Sequence, residues 1–208
     1  MIRLCVFDFD STLMDGETID ILARAYGVGD EVSKITHQAM NGEFDFFESL
    51  SRRVALLKGM PYEELVNLSN NLPLMNGSFE LIEFLKSKNI QVVVFSGGFH
   101  EGIDPAMKKL GFHLGFANYL HHKNNILTGL VGGEMMFSDS KGLMLKRLKC
   151  FLNLKDEEVM CVGDGANDLS MFEQSGLKIA FCAKPILKEK ADICIDTKDL
   201  KEIIEVVR

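Results

Sequence analysis

The chain reads as an α/β protein, a parallel sheet wrapped by helices with a helical bundle inserted after the first strand. Three observations predict this. An apolar, strand-sized run, Leu4-Cys5-Val6-Phe7, ends directly in Asp8 and Asp10. The next stretch, about sixty residues long, places apolar side chains at helical spacing. From Leu74 onward strand and helix alternate over short loops, the pattern of a parallel sheet covered by helices.

Taken in order, the first strand alternates its side chains between faces, so Asp8 and Asp10 share one side while Phe7 and Phe9 turn toward a core. Ser11 and Thr12 add short polar groups where the backbone turns. Helices are predicted over 17–26, 31–40, 44–57 and 62–70, separated by Gly27-Val28-Gly29, Asn41-Gly42 and Gly59-Met60-Pro61. The regular alternation then runs helix 78–88, strand 90–95 and helix 100–110, and resumes with helix 141–152 and strand 159–162. It closes with helix 168–175, strand 178–181, helix 185–190, strand 192–195 and a last helix from Lys198. Residues 116–137 break the rhythm, with Lys123-Asn124-Asn125 and Gly132-Gly133 punctuating short apolar runs, as in an antiparallel hairpin. The resulting division is a Rossmann-like core of residues 1–14 and 74–208 and a helical cap of residues 15–73.

Composition narrows the function. With 208 residues and 47% hydrophobic content, the chain has enough apolar material for one large domain carrying an insertion. No apolar run approaches the roughly 20 residues of a membrane span. Met1 leads straight into the first strand with no basic, apolar leader, so a cytoplasmic location is expected. Cys5, Cys150, Cys161, Cys182 and Cys194 form no Cys-x-x-Cys pair and fit free thiols in a reducing compartment. A formal net charge of −7 argues against non-specific nucleic-acid binding, which depends on excess Lys and Arg. Small anions need only local positive charge.

Polar clusters end three of the predicted strands: Asp8 with Asp10, then Ser96-Gly97-Gly98, then Gly163-Asp164-Gly165-Ala166-Asn167-Asp168. Ligands of open parallel sheets bind outside the carboxyl ends of the strands, so the three clusters converge on one crevice, which Lys141 at a helix start can also face. Each cluster alone also suits turn-forming or solvated residues, and Lys141 alone suits a helix surface. Jointly they pose an electrostatic problem. Two carboxylates 4 Å apart repel by roughly 4 kcal/mol at an effective dielectric near 20, so Asp8, Asp10, Asp164 and Asp168 in one cleft require a cation, Lys141 or protonation. An all-oxygen donor set favours Mg²⁺ over zinc. His121 and His122 fall in the hairpin and are read as strand or surface residues.

Asp8-Phe9-Asp10-Ser11-Thr12-Leu13 with Ser96-Gly97-Gly98, Lys141 and the Gly163–Asp168 run resembles the four-motif signature of the haloacid dehalogenase superfamily of phosphatases. The chain further resembles the phosphoserine phosphatase family through Glu17-Thr18-Ile19-Asp20, Ala39-Met40-Asn41-Gly42, Phe46 and Arg52-Arg53-Val54-Ala55-Leu56-Leu57. The run Gly176-Leu177-Lys178-Ile179-Ala180-Phe181-Cys182-Ala183-Lys184-Pro185 is similar as well. Met75-Asn76-Gly77 departs slightly from the Pro-Gly or Glu-Gly common in relatives, and the regulatory extension that precedes the core in some of them is not expected.

The resemblance implies hydrolysis of O-phospho-L-serine, the last step of serine biosynthesis, through an aspartyl phosphate on Asp8. It implies Asp10 as general acid and base, and Mg²⁺ on Asp8, the Asp10 carbonyl and Asp164. Ser96, Gly97, Lys141 and Asn167 would hold the phosphate, with Asp168 orienting Lys141 or a metal-bound water. Glu17 would meet the substrate ammonium, Arg53 its carboxylate, and Met40 and Phe46 would give apolar cover. The expected partner is a small phosphomonoester, with no nucleic acid or membrane, for a monomer or homodimer. The motifs leave open a related phosphatase or phosphotransferase with another small substrate or acceptor, such as homoserine. A receiver-like phosphoaspartate signalling domain and a non-catalytic phosphate-binding protein also stay open.

Overall fold

The protein, described here by a computed structural model over residues 1–207, is built on a seven-stranded sheet of order β4-β3-β2-β1-β5-β6-β7. The strands are β1 (Leu4–Asp8), β2 (Gln91–Phe99), β3 (Leu114–Lys123), β4 (Ile126–Gly133), β5 (Val159–Gly163), β6 (Leu177–Phe181) and β7 (Ile193–Ile195). Every neighbouring pair is parallel except β3 with β4, which form the hairpin expected from the sequence. β1 lies between β2 and β5, with Phe7 opposite Val94 on one side and Val162 on the other. Strand order changes direction there, and the carboxyl ends of β1, β2 and β5 open together.

Alternation along β1 assigns its side chains to two cores. Cys5, Phe7 and Phe9 join the layer under α5 (Ser78–Ser87), α6 (His100–Leu110) and α10 (Glu202–Val207). Leu4 and Val6 pack on the other face with α7 (Ser140–Leu152), α8 (Leu169–Phe172) and α9 (Pro185–Lys188). Strands covered on both faces read as continuous apolar runs, which is why β1 and β5 are buried throughout.

The insertion folds as α1 (Thr18–Tyr26), α2 (Gly29–Met40), α3 (Phe46–Ala55) and α4 (Tyr62–Asn70) around its own core of Leu22, Val32, Leu50, Val54, Leu57 and Leu65. Asp45 caps α3 by accepting the Glu48 N–H at 2.8 Å. Phe99, Leu120, Leu127 and Met136 from the sheet side enter the same core. Backbone bonds sew the α3–α4 connection to the hairpin: Gly59 N–H donates to the Leu127 carbonyl and Leu127 N–H to that of Met60, both at 2.9 Å. Where the insertion leaves and rejoins the sheet, its two strands of chain run side by side. Asp15 N–H donates to the Pro73 carbonyl and Met75 N–H to that of Leu13, both at 2.8 Å.

Three elements differ from expectation. β2 continues to Phe99 instead of stopping at Phe95, and its register with β3 shifts between those residues. Ser96-Gly97-Gly98 is therefore an irregular, bulged stretch of strand that re-aims its side chains, rather than a turn after it. The helix expected over 168–175 is a 3-10 turn, Ala166–Asp168, followed by the short α8, because Asp168 bonds back to the turn's own backbone. The last helix starts at Glu202 rather than Lys198. Asp199 accepts the Lys201 N–H at 3.0 Å and Leu200 N–H donates to the Asn76 carbonyl, holding that segment out of helical geometry.

Candidate active site

A cavity of about 570 Å³ lies between the carboxyl ends of the central strands and the inserted helices. Asp8, Asp10, Gly97, Asp164 and Asn167 line it from the sheet side, and Glu17, Met40, Phe46 and Arg53 from the insertion. Ser96 and Lys141, both buried, sit just outside the lining residues. Thus the three strand-end clusters and the cap residues singled out in the sequence do converge. His121 and His122 do not; they lie on β3, where His122 stacks on Tyr62 and His121 pairs with Thr128.

Asp8 closes β1, and the chain turns sharply after Asp10. Ser11 takes a left-handed φ of 59°, its N–H donating to the Gly16 carbonyl at 2.8 Å. This turn lets Asp10 reach the cavity without continuing the strand. Beneath the cavity Lys141 Nζ donates to Asp8 Oδ1 at 2.5 Å and to Asp168 Oδ1 at 2.6 Å, all three side chains being 4% exposed or less. Asp168 Oδ2 accepts the N–H groups of Asp164, at 3.0 Å, and Gly165, at 3.1 Å. Asp168 is thus consumed in shaping the loop and pairing Lys141.

Burial raises the Asp8 pKa well above the carboxylate range; the neighbouring Asp168 charge adds to the rise and Lys141 opposes it. Asp164 is pushed up to about 6, by burial first and then by Asp168. Burial alone would lower Lys141, but the charges of Asp168 and Asp8 outweigh it and raise its pKa, so the ammonium stays charged. One lysine therefore faces three carboxyls, and the pocket retains an appetite for positive charge. Oxygen atoms of Asp8, Asp164 and Asp168 lie within 4.8 Å of one another, a spacing that suits a hard divalent cation. Since both Asp168 oxygens are already occupied, Asp8 and Asp164 are the better placed donors.

Facing this floor, Glu17 Oε1 accepts the Ser11 hydroxyl at 2.7 Å. Burial, with the Asp10 charge next, lifts the Glu17 pKa to about 7. Arg53 spends its Nε–H on the Ser49 carbonyl at 3.3 Å, leaving the terminal nitrogens of its fork for a ligand. Burial lowers its pKa against the pull of Glu17, Asp20 and Asp10. Met40 is 66% exposed at the rim, whereas Phe46 packs down onto Gly97. A carboxylate and a guanidinium thus look into a cavity whose opposite wall holds Asp8 and Asp10.

Two site residues escaped the sequence reading. Thr18, though within a quoted motif, received no role, yet it donates to Asp10 twice. Lys184 lines the cavity, and its charge lowers the pKa values of both Asp164 and Glu17. Its place directly before Pro185 at the start of α9 was the available signal: the loop after β6 ends at the same face of the sheet.

This fold and this arrangement of acids define the class. The chain belongs to the haloacid dehalogenase-like hydrolases, whose family description matches residues 2–176. Among them it groups with phosphoserine phosphatases. The phosphoserine phosphatase of Campylobacter jejuni subsp. doylei is 74% identical over 207 residues, 100% of each chain. A solved phospho-aspartyl intermediate analogue of a phosphoserine phosphatase is 47% identical, covering 100% of this chain and 99% of that one with a TM-score of 0.94. A solved substrate-bound phosphoserine phosphatase complex is 46% identical, with the same coverage and a TM-score of 0.94.

Proposed function

We propose that the protein hydrolyses O-phospho-L-serine to L-serine and phosphate, with Asp8 as nucleophile and Asp10 as general acid and base. One observation carries this reading: Glu17 and Arg53, of opposite charge, look from the insertion into the cavity whose floor holds Asp8 and Asp10. An amino acid presents an ammonium and a carboxylate together, and that pair matches Glu17 and Arg53. The similarity to phosphoserine phosphatases over the whole chain supports the same substrate.

Lys141, bonded to Asp8 Oδ1, fixes the rotation of the nucleophilic carboxylate, and its third N–H is free for a phosphoryl oxygen. The Gly97 N–H and Asn167 reach the phosphate from the cavity wall, and Ser96 acts from behind them. Asp8 attacks phosphorus; as the bond to the serine oxygen breaks, Asp10 delivers its proton to that oxygen, a poor leaving group without it. Water then attacks the aspartyl phosphate, Asp10 takes the water's proton, and the Asp8–phosphorus bond breaks to release phosphate. Asp8, Asp164 and the Asp10 carbonyl would hold Mg²⁺, which when bound would supply positive charge beside the phosphoryl oxygens and so ease the approach of two anions. Phe46, lying over Gly97, keeps bulk water from the intermediate.

Residues 15–73 act as a cap on a core of 1–14 and 74–208, hinged at the paired segments around Asp15 and Pro73. Five free cysteines fit a reducing, cytoplasmic setting, and no described helix is long and apolar enough to cross a membrane. Phosphate release from O-phospho-L-serine, with Mg²⁺ and after chelation, tests the proposal. Mg²⁺-dependent release that exceeds release from sugar phosphates and phosphohomoserine supports it; preference for a sugar phosphate overturns it.

A further inference from the structure

The first residue of the cap helix reaches across to the proton-transfer carboxylate. Thr18 N–H donates to Asp10 Oδ1 at 2.7 Å, and the Thr18 hydroxyl donates to the same oxygen at 2.6 Å. Among the described residues the other oxygen, Oδ2, accepts only from the Ser96 hydroxyl at 3.3 Å, long for a bond between oxygens. It also sits 2.6 Å from where a methyl group at Gly98 would lie, so the absence of a side chain there leaves room for it.

We propose that Thr18 is the positioning residue for Asp10 and divides its oxygens by function, Oδ1 as the anchored acceptor and Oδ2 as the oxygen that gives and takes the proton. The inference rests on Asp10 serving as acid and base in phosphomonoester hydrolysis. A carboxylate oxygen has two in-plane lone pairs, and two donors occupy those of Oδ1. A proton on Oδ1 would displace one of them, so the acid form carries it on Oδ2. Asp10 and Gly98, beside which Oδ2 lies, both line the cavity. In the first step the Oδ2 proton passes to the serine oxygen as its bond to phosphorus breaks and the Asp8–phosphorus bond forms. In the second, Oδ2 receives a proton from water as the new oxygen–phosphorus bond forms and Asp8 leaves.

Placement makes this a coupling as well as an orientation. Thr18 is 2% exposed, opens α1, and follows Glu17 directly. Its Cγ2 and Oγ1 approach the α6 backbone closely, each 3.5 Å from where a methyl group at Gly102 would lie. The side chain is thus seated against the core when it bonds Asp10. A swing of α1 away from the core would remove the ammonium partner and both Asp10 anchors together, so the acid is correctly aimed only beneath a docked cap.

The test compares T18V, which deletes the hydroxyl but keeps shape and N–H, with T18S, which restores the hydroxyl. Two substrates separate acid catalysis from everything else: O-phospho-L-serine needs a proton on its leaving oxygen, whereas p-nitrophenyl phosphate expels a stable phenolate without one. Phosphoryl transfer to the enzyme is read by rapid mixing as the first burst of serine or p-nitrophenolate. T18V should slow the serine burst roughly 10- to 100-fold, the worth of a charge-assisted hydrogen bond, with little change in KM. The p-nitrophenolate burst should stay near the wild-type rate, and T18S should recover most of the loss. Equal losses on both substrates, or no loss on either, would overturn the assignment, and T18A carries the same comparison should T18V not fold. Wild-type protein that fails to release phosphate from phosphoserine would instead sink the functional reading beneath it.

Discussion

The ring of Phe46 on α3 rests on Gly97 of β2 so closely that a methyl group at Gly97 would lie 2.8 Å from Phe46 Cζ. This contact joins the inserted helices to the strand stretch that lines the cavity. The smallest side-chain addition, G97A, should push the ring away and misplace the cover; a misplacement of about 1 Å costs on the order of 100-fold. We expect kcat/KM for phosphoserine to fall by roughly that factor, with little change in melting temperature, because a ring edge can shift where backbone cannot. The double variant G97A/F46L, with its shorter side chain, should recover part of the loss. Steady-state kinetics checks this, and strict additivity of the two substitutions would argue that the residues do not touch in the working enzyme.

Glu17 supplies a pH dependence with a defined sign. With its pKa raised to about 7, it is neutral below that value and cannot pair with an ammonium; it gains its charge as pH rises. Affinity for phosphoserine should therefore increase through about pH 7 and then level off. The substrate's own phosphate titrates near pH 6 and adds a second dependence, so the comparison needs a partner. In E17Q only the phosphate contribution should remain, and wild-type protein should show the same loss with a substrate lacking the ammonium, 3-phosphooxypropionate. KM against pH for these pairs is the measurement; parallel profiles for wild type and E17Q would remove Glu17 from ammonium binding.

Much of this site was legible because it is written at strand ends. Asp8, Asp10, Asp164 and Asn167 needed only the period of the strand and the rule that parallel sheets bind at their carboxyl edge. The family motifs brought in Glu17, Phe46 and Arg53, whose helical spacing alone suits ordinary surface or core. What stayed hidden depends on distance in space. Thr18 earns its contact from the left-handed turn at Ser11, which brings α1 back over Asp10, and nothing in its local pattern signals that. The glycines of Ser96-Gly97-Gly98 look like turn chemistry, yet β3 pairs alongside and keeps them in an irregular strand. Leu200 and Ile203 keep helical spacing, but the bond from Leu200 N–H to Asn76 delays the last helix. Local propensity yields wherever a distant partner offers the backbone a better hydrogen bond.

The acidic floor should make cation-free protein lose stability as pH rises. Asp164 has an ordinary pKa of 3.8 and a folded value of about 6, and Asp8 shifts in the same direction. A carboxyl raised on folding contributes stability that is complete below its unfolded value and is lost as pH climbs through its folded value. In chelator, the melting temperature of wild type relative to D164N should fall between about pH 4 and pH 6.5, by about 2–4 °C for each kcal/mol lost in a chain of this size. Saturating Mg²⁺ should abolish the fall, because a ligand that binds only the folded state adds stability by mass action. Thermal melts across that range provide the check; a wild-type curve that rises relative to D164N would show the opposite linkage.

The inserted helices are bonded to the hairpin as well as to the paired segments around Asp15 and Pro73, and Gly129 is where the hairpin seam is most exposed to test. Gly129 on β4 has φ of +79°, a conformation that side chains other than glycine adopt with strain. A methyl group there would also lie 3.0 Å from Lys58 Cβ, in the turn after α3, and 3.1 Å from the carbonyl oxygen of Ala55, the last residue of α3. G129A therefore adds backbone strain to a clash that neither strand nor helix can easily relieve, costing about 1–3 kcal/mol. The seam's own backbone bonds report the damage locally: Gly59 to Leu127, Leu127 to Met60, and Tyr62 to Asn125, each 2.9 Å in the intact protein. Amide hydrogen exchange at Gly59, Leu127 and Tyr62 should accelerate in G129A, while amides of β1 and β5, buried on both faces, keep their protection. If instead exchange rises uniformly through the sheet, the hairpin is part of the core's single cooperative unit, and cap motion must be confined to the helices above it.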